Sequence, residues 1–368
     1  MPLGPELQFL DRTKVLYDGR PHLFFGSSDY HRLSSHPEVL RAALEVCASG
    51  GLRSGGSRTT TGNSPYHVRL EAATAGFLGT EESAICANGY LSNTVALEAM
   101  AVEFQRFFID DGAHASVRVS VDCLPRERVH LFRHSDPEHL RKELKTHLRP
   151  AERPLVLTNG VEFGTGDIPP LAAYWENVRS AGGMLMVDDA HGMGVAGLTG
   201  KGSAEEALLP AGACLLTGSY AKAFGVFGGV LAGPAGLFCK VVERSRTFTG
   251  ATPLPPHLAA AALRSIELLQ EHPDMITGLR ARTFRARERI RAMGLPSCDS
   301  PAPILSVTHL DEVKNQRLRA LLLRKGIYPT FTIYPGCPPG GHFRFALSSL
   351  HSDGDVERLL VAIELSCG

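Results

Sequence analysis

Between about Ser83 and Val230, short apolar runs alternate with longer amphipathic stretches, and this alternation constrains the fold more than any other feature of the chain. The runs are Ser83 to Ala87, Arg106 to Ile109, Arg128 to Phe132, Leu155 to Thr158, Met184 to Val187, Ala213 to Leu216 and Gly229 to Ala232. Their length and apolar character are those of strands buried on both faces. Helical patterns cover Pro37 to Ala48, Tyr66 to Leu78, Tyr90 to Glu103, Pro137 to Thr146 and Leu171 to Ser180, with Pro37 and Pro137 at first-turn positions. Strands and helices in that order close a core by placing helices on both faces of a mainly parallel sheet, so the expected class is α/β.

After Val230 the rhythm changes. Two long helical stretches, about Pro256 to Gln270 and Met275 to Met293, lead into strand candidates at Ile304 to Thr308, Tyr328 to Ile333 and Phe343 to Leu347, then a helix from Asp353. The expected organisation is an N-terminal segment (1–45), a large domain (46–240) and a smaller C-terminal α+β domain (241–368). No repeat or low-complexity linker separates them, so they are expected to pack together.

Charge narrows the partners. Lys plus Arg and Asp plus Glu are both 38 among 368 residues, so no net charge draws the chain to nucleic acid or to an anionic membrane. No run of about 18 apolar residues offers a membrane span. The start, Met1-Pro-Leu-Gly-Pro-Glu-Leu-Gln, lacks the basic and apolar regions of a signal peptide. The eight cysteines (47, 86, 123, 214, 239, 298, 337, 367) stand singly, without metal-ligand spacing or a disulfide pattern. A reducing cytoplasm is the expected compartment, with no metal.

Chemistry-bearing residues cluster at expected strand ends. Met184 to Val187 runs into Asp188-Asp189-Ala190-His191-Gly192, and ligands of open parallel sheets bind at the carboxyl ends of strands. The next strand runs into Thr217-Gly218-Ser219-Tyr220-Ala221-Lys222-Ala223, where a desolvated lysine among small residues becomes a nucleophilic amine. Upstream, Asn88-Gly89-Tyr90 opens a helix whose bare N–H groups suit a phosphate. Singly, each has an ordinary structural reading: a helix cap, a hydrogen-bonded core histidine, a surface lysine, a turn. Jointly, a carboxylate, a Schiff-base lysine and a phosphate cradle are what pyridoxal 5'-phosphate needs, the acid keeping the pyridine nitrogen protonated.

These segments resemble the α-oxoamine synthases, fold type I pyridoxal-phosphate enzymes related to class II aminotransferases, over about Phe25 to Leu360. Ser27-Ser28-Asp29-Tyr30 with Ser35-His36-Pro37 resembles the family's S-N-D-Y-L…S-H-P opening, and Gly55-Gly56-Ser57-Arg58 with Thr61 to His67 its G-G-S-R…S-G-N-H-P-L-H segment. Asp110 with His114-Ala115-Ser116 resembles D-x-x-N-H-A-S, Asp188 to Gly194 D-E-A-H-G-x-G, Ser219 to Gly225 S/T-x-x-K-A-x-G, and Thr252 to Pro256 T-A-L-P-P. Phe343-Arg344-Phe345 with His351-Ser352 resembles L-R-I…H-T.

The resemblance implies an acyltransferase that joins an amino acid to an acyl thioester, presented by coenzyme A or an acyl carrier protein, usually with decarboxylation, to give an α-amino ketone. It implies Lys222, His114, Asp188 and His191 as catalytic residues, with Asn88, Gly89, Tyr90, Ser219 and Thr252 completing the cofactor site. His114 would stack on the cofactor ring, His191 would bond the ring's phenolate oxygen, and Ser219 the phosphate. Arg344 would bind the amino acid's carboxylate, beside Ser28, Ser57 and Phe163. Thr252 would reach the phosphate of a neighbouring subunit in a homodimer; its ordinary reading is a cap on the helix near Pro255.

The chain departs from the family at three places. Ser28 replaces an Asn, Val119-Ser120 replaces the D-G after the stacking histidine, and the F-S-M-D-G-D segment reads Glu162-Phe163-Gly164-Thr165-Gly166-Asp167. Phe163 and Glu162 suggest a substrate with a larger apolar or cationic group near its α-carbon; the alternative is that Phe163 packs under the cofactor while Glu162 points to solvent. Another pyridoxal-phosphate enzyme of the same fold, a retro-aldol lyase or an aminotransferase, is the second functional reading. A non-catalytic subunit is the third.

Overall fold

Three short antiparallel strands open the chain in the computed structural model, which describes residues 4–308, 311–333 and 340–367. They are β1 (Gln8–Phe9), β2 (Lys14–Tyr17) and β3 (Arg20–Leu23). Between β2 and β3 the chain turns at Asp18-Gly19, with φ of 49° and 70°, the two left-handed positions that a two-residue hairpin turn requires.

The central sheet follows. Its strands are β4 (Glu82–Cys86), β5 (Arg106–Asp110), β6 (Val129–Phe132), β7 (Pro154–Asn159), β8 (Met184–Asp188), β9 (Cys214–Ser219) and β10 (Gly229–Gly233). They lie in the order β4-β10-β9-β8-β7-β5-β6. Only β10 runs antiparallel to its neighbours, so the carboxyl ends of β4, β5, β7, β8 and β9 share one edge. All seven expected strands form, each within three residues of the expected boundary. Their continuous apolar runs follow from period-2 side-chain alternation with both faces covered. Val156, Leu185, Val187, Leu216 and Val230 enter one core, whereas Leu155, Leu157, Met186, Leu215 and Leu231 enter the other.

Local capping explains where the flanking helices begin. His36, Asn88 and Asp136 each accept a first-turn N–H through their side chains. Ser64 and His67 form a reciprocal capping box at Pro65–Leu78.

A second antiparallel sheet, β11 (Ile304–Val307), β12 (Phe331–Thr332) and β13 (His342–Ala346), has β13 at its centre. Its core takes in Leu23, Phe25 and Tyr30 from the N-terminal segment, and Leu23 bridges Ile327. The helix Pro256–Glu271 lies beyond residue 240, yet its Ala259, Ala262 and Ile266 belong to a core of the large sheet. Asp274–Ala292 sends Leu279, Ala286 and Ile290 into the C-terminal core instead.

Candidate active site

The shared edge of the central sheet opens into a cavity of about 190 Å³. Each strand delivers its side chains where its hydrogen-bond ladder ends. Asp188 closes β8, Ser219 closes β9 with Lys222 three residues on, Asn159 closes β7, and Gly89 starts the helix Gly89–Met100 after β4. Gly89, Tyr90, His114, Phe163, Asp188, His191, Ser219 and Lys222, all expected from sequence, line the cavity together with Ser116, Asn159, Val161 and Ala190. Gly89 is required by close approach: a Cβ there would lie 2.6 Å from Ser219 Cβ.

Asp188 is buried and held on both oxygens. Its Oδ2 accepts from Asn93 Nδ2 (2.7 Å) and Ser116 Oγ (3.3 Å), and its Oδ1 accepts from the Ala190 N–H (3.2 Å). Thr217 Oγ1 donates to Asn93 Oδ1 (2.6 Å), which fixes the Asn93 amide with its N–H groups toward the carboxylate. Asp189 points elsewhere. Its carboxyl packs among Gly160, Gly192 and Gly202 and accepts from the Ser203 N–H (2.8 Å); burial pushes its pKa up to about 7.

Lys222 and His191 are half-buried and largely stripped of solvent. Desolvation lowers the Lys222 pKa, Arg344 adds to the effect, and Asp188 opposes it. Desolvation likewise holds His191 far below the ordinary imidazole range, with Lys222, Arg344 and His114 as further causes. A neutral imidazole results. Tyr30 OH lies 2.6 Å from His191 Nδ1, leaving Nε2 for the cavity. Tyr30, buried, has Ser28 and Arg344 as its other polar neighbours.

His114 is held on several sides. Its ring Nδ1 lies 2.7 Å from Ser116 Oγ, and its main-chain N–H donates to Asn159 Oδ1 (3.0 Å). Phe163 and Tyr90 meet the ring edge-on, with centroids 5.6 Å and 6.4 Å away. Burial is the main cause that lowers its pKa. Behind it, Glu162 is buried and accepts from Asn159 Nδ2 on both oxygens (3.0 and 3.1 Å). His134 Nε2 stands 3.8 Å from Glu162, and His134 Nδ1 is 2.8 Å from Asp110. The hydrogen bond to Asp110 raises the His134 pKa to about 9, and burial raises that of Glu162 to about 7. Glu162 is therefore buried rather than turned to solvent, which corrects that reading, and it stands behind the cavity lining rather than in it.

The other expected residues lie outside the cavity lining. Asn88 turns its side chain to the Leu91 N–H (3.0 Å) and acts as a helix cap. Ser57 bonds Thr59 (2.8 Å) within its own loop. Arg344, on β13, donates from Nε to the Phe163 carbonyl (2.6 Å), so the C-terminal sheet reaches the loop that borders the cavity. Thr252 is exposed and borders a separate small cavity with Arg58, Ala87 and Leu91. It does not cap the following helix, whose N-cap is Pro255 with no side-chain hydrogen bond. Sequence reasoning missed Asn93, Asn159, Thr217 and Tyr30. Tyr30 stood within a quoted motif, whereas Asn93 carried no signal beyond a polar residue on an otherwise apolar helix face.

This donor set fits pyridoxal phosphate. One buried carboxylate, one desolvated amine, a neutral imidazole and a bare helix start beside a serine meet around one cavity.

A family model for aminotransferases of class I and II matches residues 21–363. The 8-amino-7-oxononanoate synthase of Symbiobacterium thermophilum is 32% identical over 358 residues, 97% of this chain and 91% of its own length. That of Stutzerimonas stutzeri is 34% identical over 361 residues, 98% and 91% of the two chains. The serine palmitoyltransferase of Sphingomonas wittichii superposes with a TM-score of 0.88 at 29% identity, covering 97% of this chain and 90% of that one. A serine palmitoyltransferase from S. paucimobilis with bound PLP–myriocin aldimine has a TM-score of 0.88 at 25% identity, covering 98% and 90%.

Proposed function

The chain belongs to the class I and II aminotransferase family, within it to the α-oxoamine synthases, and on that premise we propose the residue roles of a pyridoxal-phosphate-dependent condensation of an amino acid with an acyl thioester to an α-amino ketone. The carrying observation is the meeting of Lys222, Asp188, His191, His114 and Ser219 around one cavity. Pyridoxal phosphate, when bound, supplies an electron sink for the charge left on the amino acid's α-carbon.

The protein's own groups do the rest. Lys222, desolvated and short of its full basicity, would be the amine that attaches the cofactor and the base that takes the α-proton. Asp188, anchored by Asn93, Ser116 and Ala190, would hold a proton on the pyridine nitrogen. His191, with Tyr30 at its Nδ1, would donate from Nε2 to the ring oxygen. His114 would lie against the ring face. Ser219 and the Gly89 and Tyr90 N–H groups would hold the phosphate, with Asn88 shaping that helix start. Arg344, tied through Nε to the Phe163 carbonyl and beside Tyr30, would turn its guanidinium to the amino acid's carboxylate. Phe163 lines the cavity, which supports a substrate with apolar bulk near the α-carbon; Ser28, beside Tyr30, and Ser57 are further residues assigned to the substrate. The donor is an acyl-coenzyme A or acyl carrier protein. We further read the enzyme as a cytoplasmic homodimer in which Thr252 serves the neighbouring site; the seven described cysteines, all free, support a reducing compartment, and Cys337 lies outside the described residues.

Borohydride reduction followed by peptide mapping should mark Lys222. An amino-acid panel mixed with acyl-coenzyme A and acyl carrier protein thioesters should then release free thiol only when both substrates are present. A mark on another lysine overturns the assignment, and keto-acid formation without thiol release replaces condensation by transamination.

A further inference from the structure

We propose that Glu162 is a positioning residue: it orients the Asn159 carboxamide so that Asn159 Oδ1 holds the His114 main chain and keeps the His114 ring over the cofactor cavity. This rests on the reading that His114 faces the cofactor. A carboxamide offers two nearly equivalent orientations, one oxygen end and one nitrogen end. Here its two neighbours select the same one. In its ionised form Glu162 only accepts and meets Nδ2 at 3.0 and 3.1 Å, while the His114 N–H only donates and meets Oδ1 at 3.0 Å. The second Nδ2 hydrogen goes to the Gly112 carbonyl (3.3 Å). A turned amide would set oxygen against oxygen at Glu162 and N–H against N–H at His114.

The carboxylate is itself held. His134 lies 3.8 Å away with Asp110 on its far nitrogen, and Glu162 is buried, only 9% exposed. The other acid acting on it is Asp167. The adjacent Phe163 meets the His114 ring edge-on, so one short loop fixes both the main chain and the ring of His114. Glu162 stands where the family segment quoted above has Phe, which makes this arrangement a property of this chain.

The test follows the His114 amide in protein labelled with ¹⁵N-histidine, with and without pyridoxal phosphate. Replacing Glu162→Ala should speed hydrogen exchange at that amide about tenfold, the weight of one hydrogen bond. Glu162→Asp, which keeps the charge but withdraws it by one methylene, should give a smaller acceleration and guards against a misfolded alanine variant. The dissociation constant of pyridoxal phosphate should rise by a similar factor in Glu162→Ala, with no further rise when both are compared in a His114→Ala background. Wild-type exchange at His114 in either variant, or an equal rise in the His114→Ala background, overturns the proposal. The exchange in cofactor-free protein stands apart from the assignment of Lys222, whose failure would appear only in the borohydride experiment.

Discussion

Asp188 takes N–H and O–H donors from Asn93, Ser116 and Ala190, and a carboxamide in its place would set one amide against another. Asp188→Asn should therefore still bind pyridoxal phosphate yet lose about 10²-fold or more in turnover, because an amide cannot hold the pyridine proton; stopped-flow kinetics beside a cofactor titration measure both, and a wild-type rate would refute the role. His134 supplies a prediction in pH. Its hydrogen bond to Asp110 raises its pKa from 6.5 to about 9, above the unfolded value, so its contribution is complete below about pH 6.5 and is lost as pH rises through about 9. Discounted for partial exposure, it amounts to about 1 to 2 kcal/mol. The gap in Tm between wild type and His134→Asn should shrink between pH 6 and pH 10, and a constant gap would contradict it. Lys222, Asp188 and His191 were legible because each sits on a short local signal, an apolar strand followed by a motif. Asn93 was not, since its partner Asp188 is 95 residues away along the chain, and the pairing exists only once β8 and the helix after β4 are packed together.

The glycine-rich stretch around Ser57 is fastened to the sheet by one buried ion pair. Arg58 meets Glu71 through two hydrogen bonds of 2.8 and 2.9 Å, and Glu71 also accepts the Ile85 N–H of β4 (3.1 Å). Such a pair adds little compared with an apolar replacement, but removing one partner strands a buried charge. Arg58→Ala should cost about 3 to 5 kcal/mol and lower the midpoint of urea unfolding, whereas Arg58→Ala combined with Glu71→Leu should recover part of that loss; an unperturbed single variant would place the pair at the surface in solution. At this scale, legibility followed burial. Six of the seven strands of the central sheet are almost wholly buried and read as mainly apolar runs, while the edge strand β6, with Leu131 55% exposed, reads as one from its remaining residues. The opening strands escaped notice because they are two to four residues long and largely exposed, although Asp18-Gly19 was a hairpin signal. The helix Glu312–Arg324 was missed for a related reason. It buries only Leu318, Leu321 and Leu322 in a strongly charged segment, too narrow a stripe to stand out from a loop.

For the whole molecule, the change of rhythm after Val230 located a second antiparallel sheet but said nothing of which core each connecting helix joins, because an amphipathic pattern names a buried face without naming its partner. The packing of Pro256–Glu271 on the large sheet brings the preceding Thr252 to the surface, outside the cavity of its own chain. A second copy is the partner we propose for it. Leu40 and Leu44, one turn apart on Pro37–Gly50, are 46% and 65% exposed, and Leu52 just beyond that helix is 74% exposed. An i, i+4 apolar pair extended past the helix end is a stripe a monomer has little reason to keep, and in a twofold assembly the same stripe meets its own copy. Light scattering at micromolar concentration should give twice the mass of one chain. Leu44→Glu, which buries a charge at the centre of such a contact, should shift the equilibrium to monomer and weaken pyridoxal phosphate binding, and Thr252→Ala should weaken binding without changing the mass. The two effects separate assembly from the phosphate contact: a monomeric wild type with full activity ends the dimer, and a dimeric Thr252→Ala with unchanged cofactor affinity ends the role of Thr252 while leaving the dimer in place.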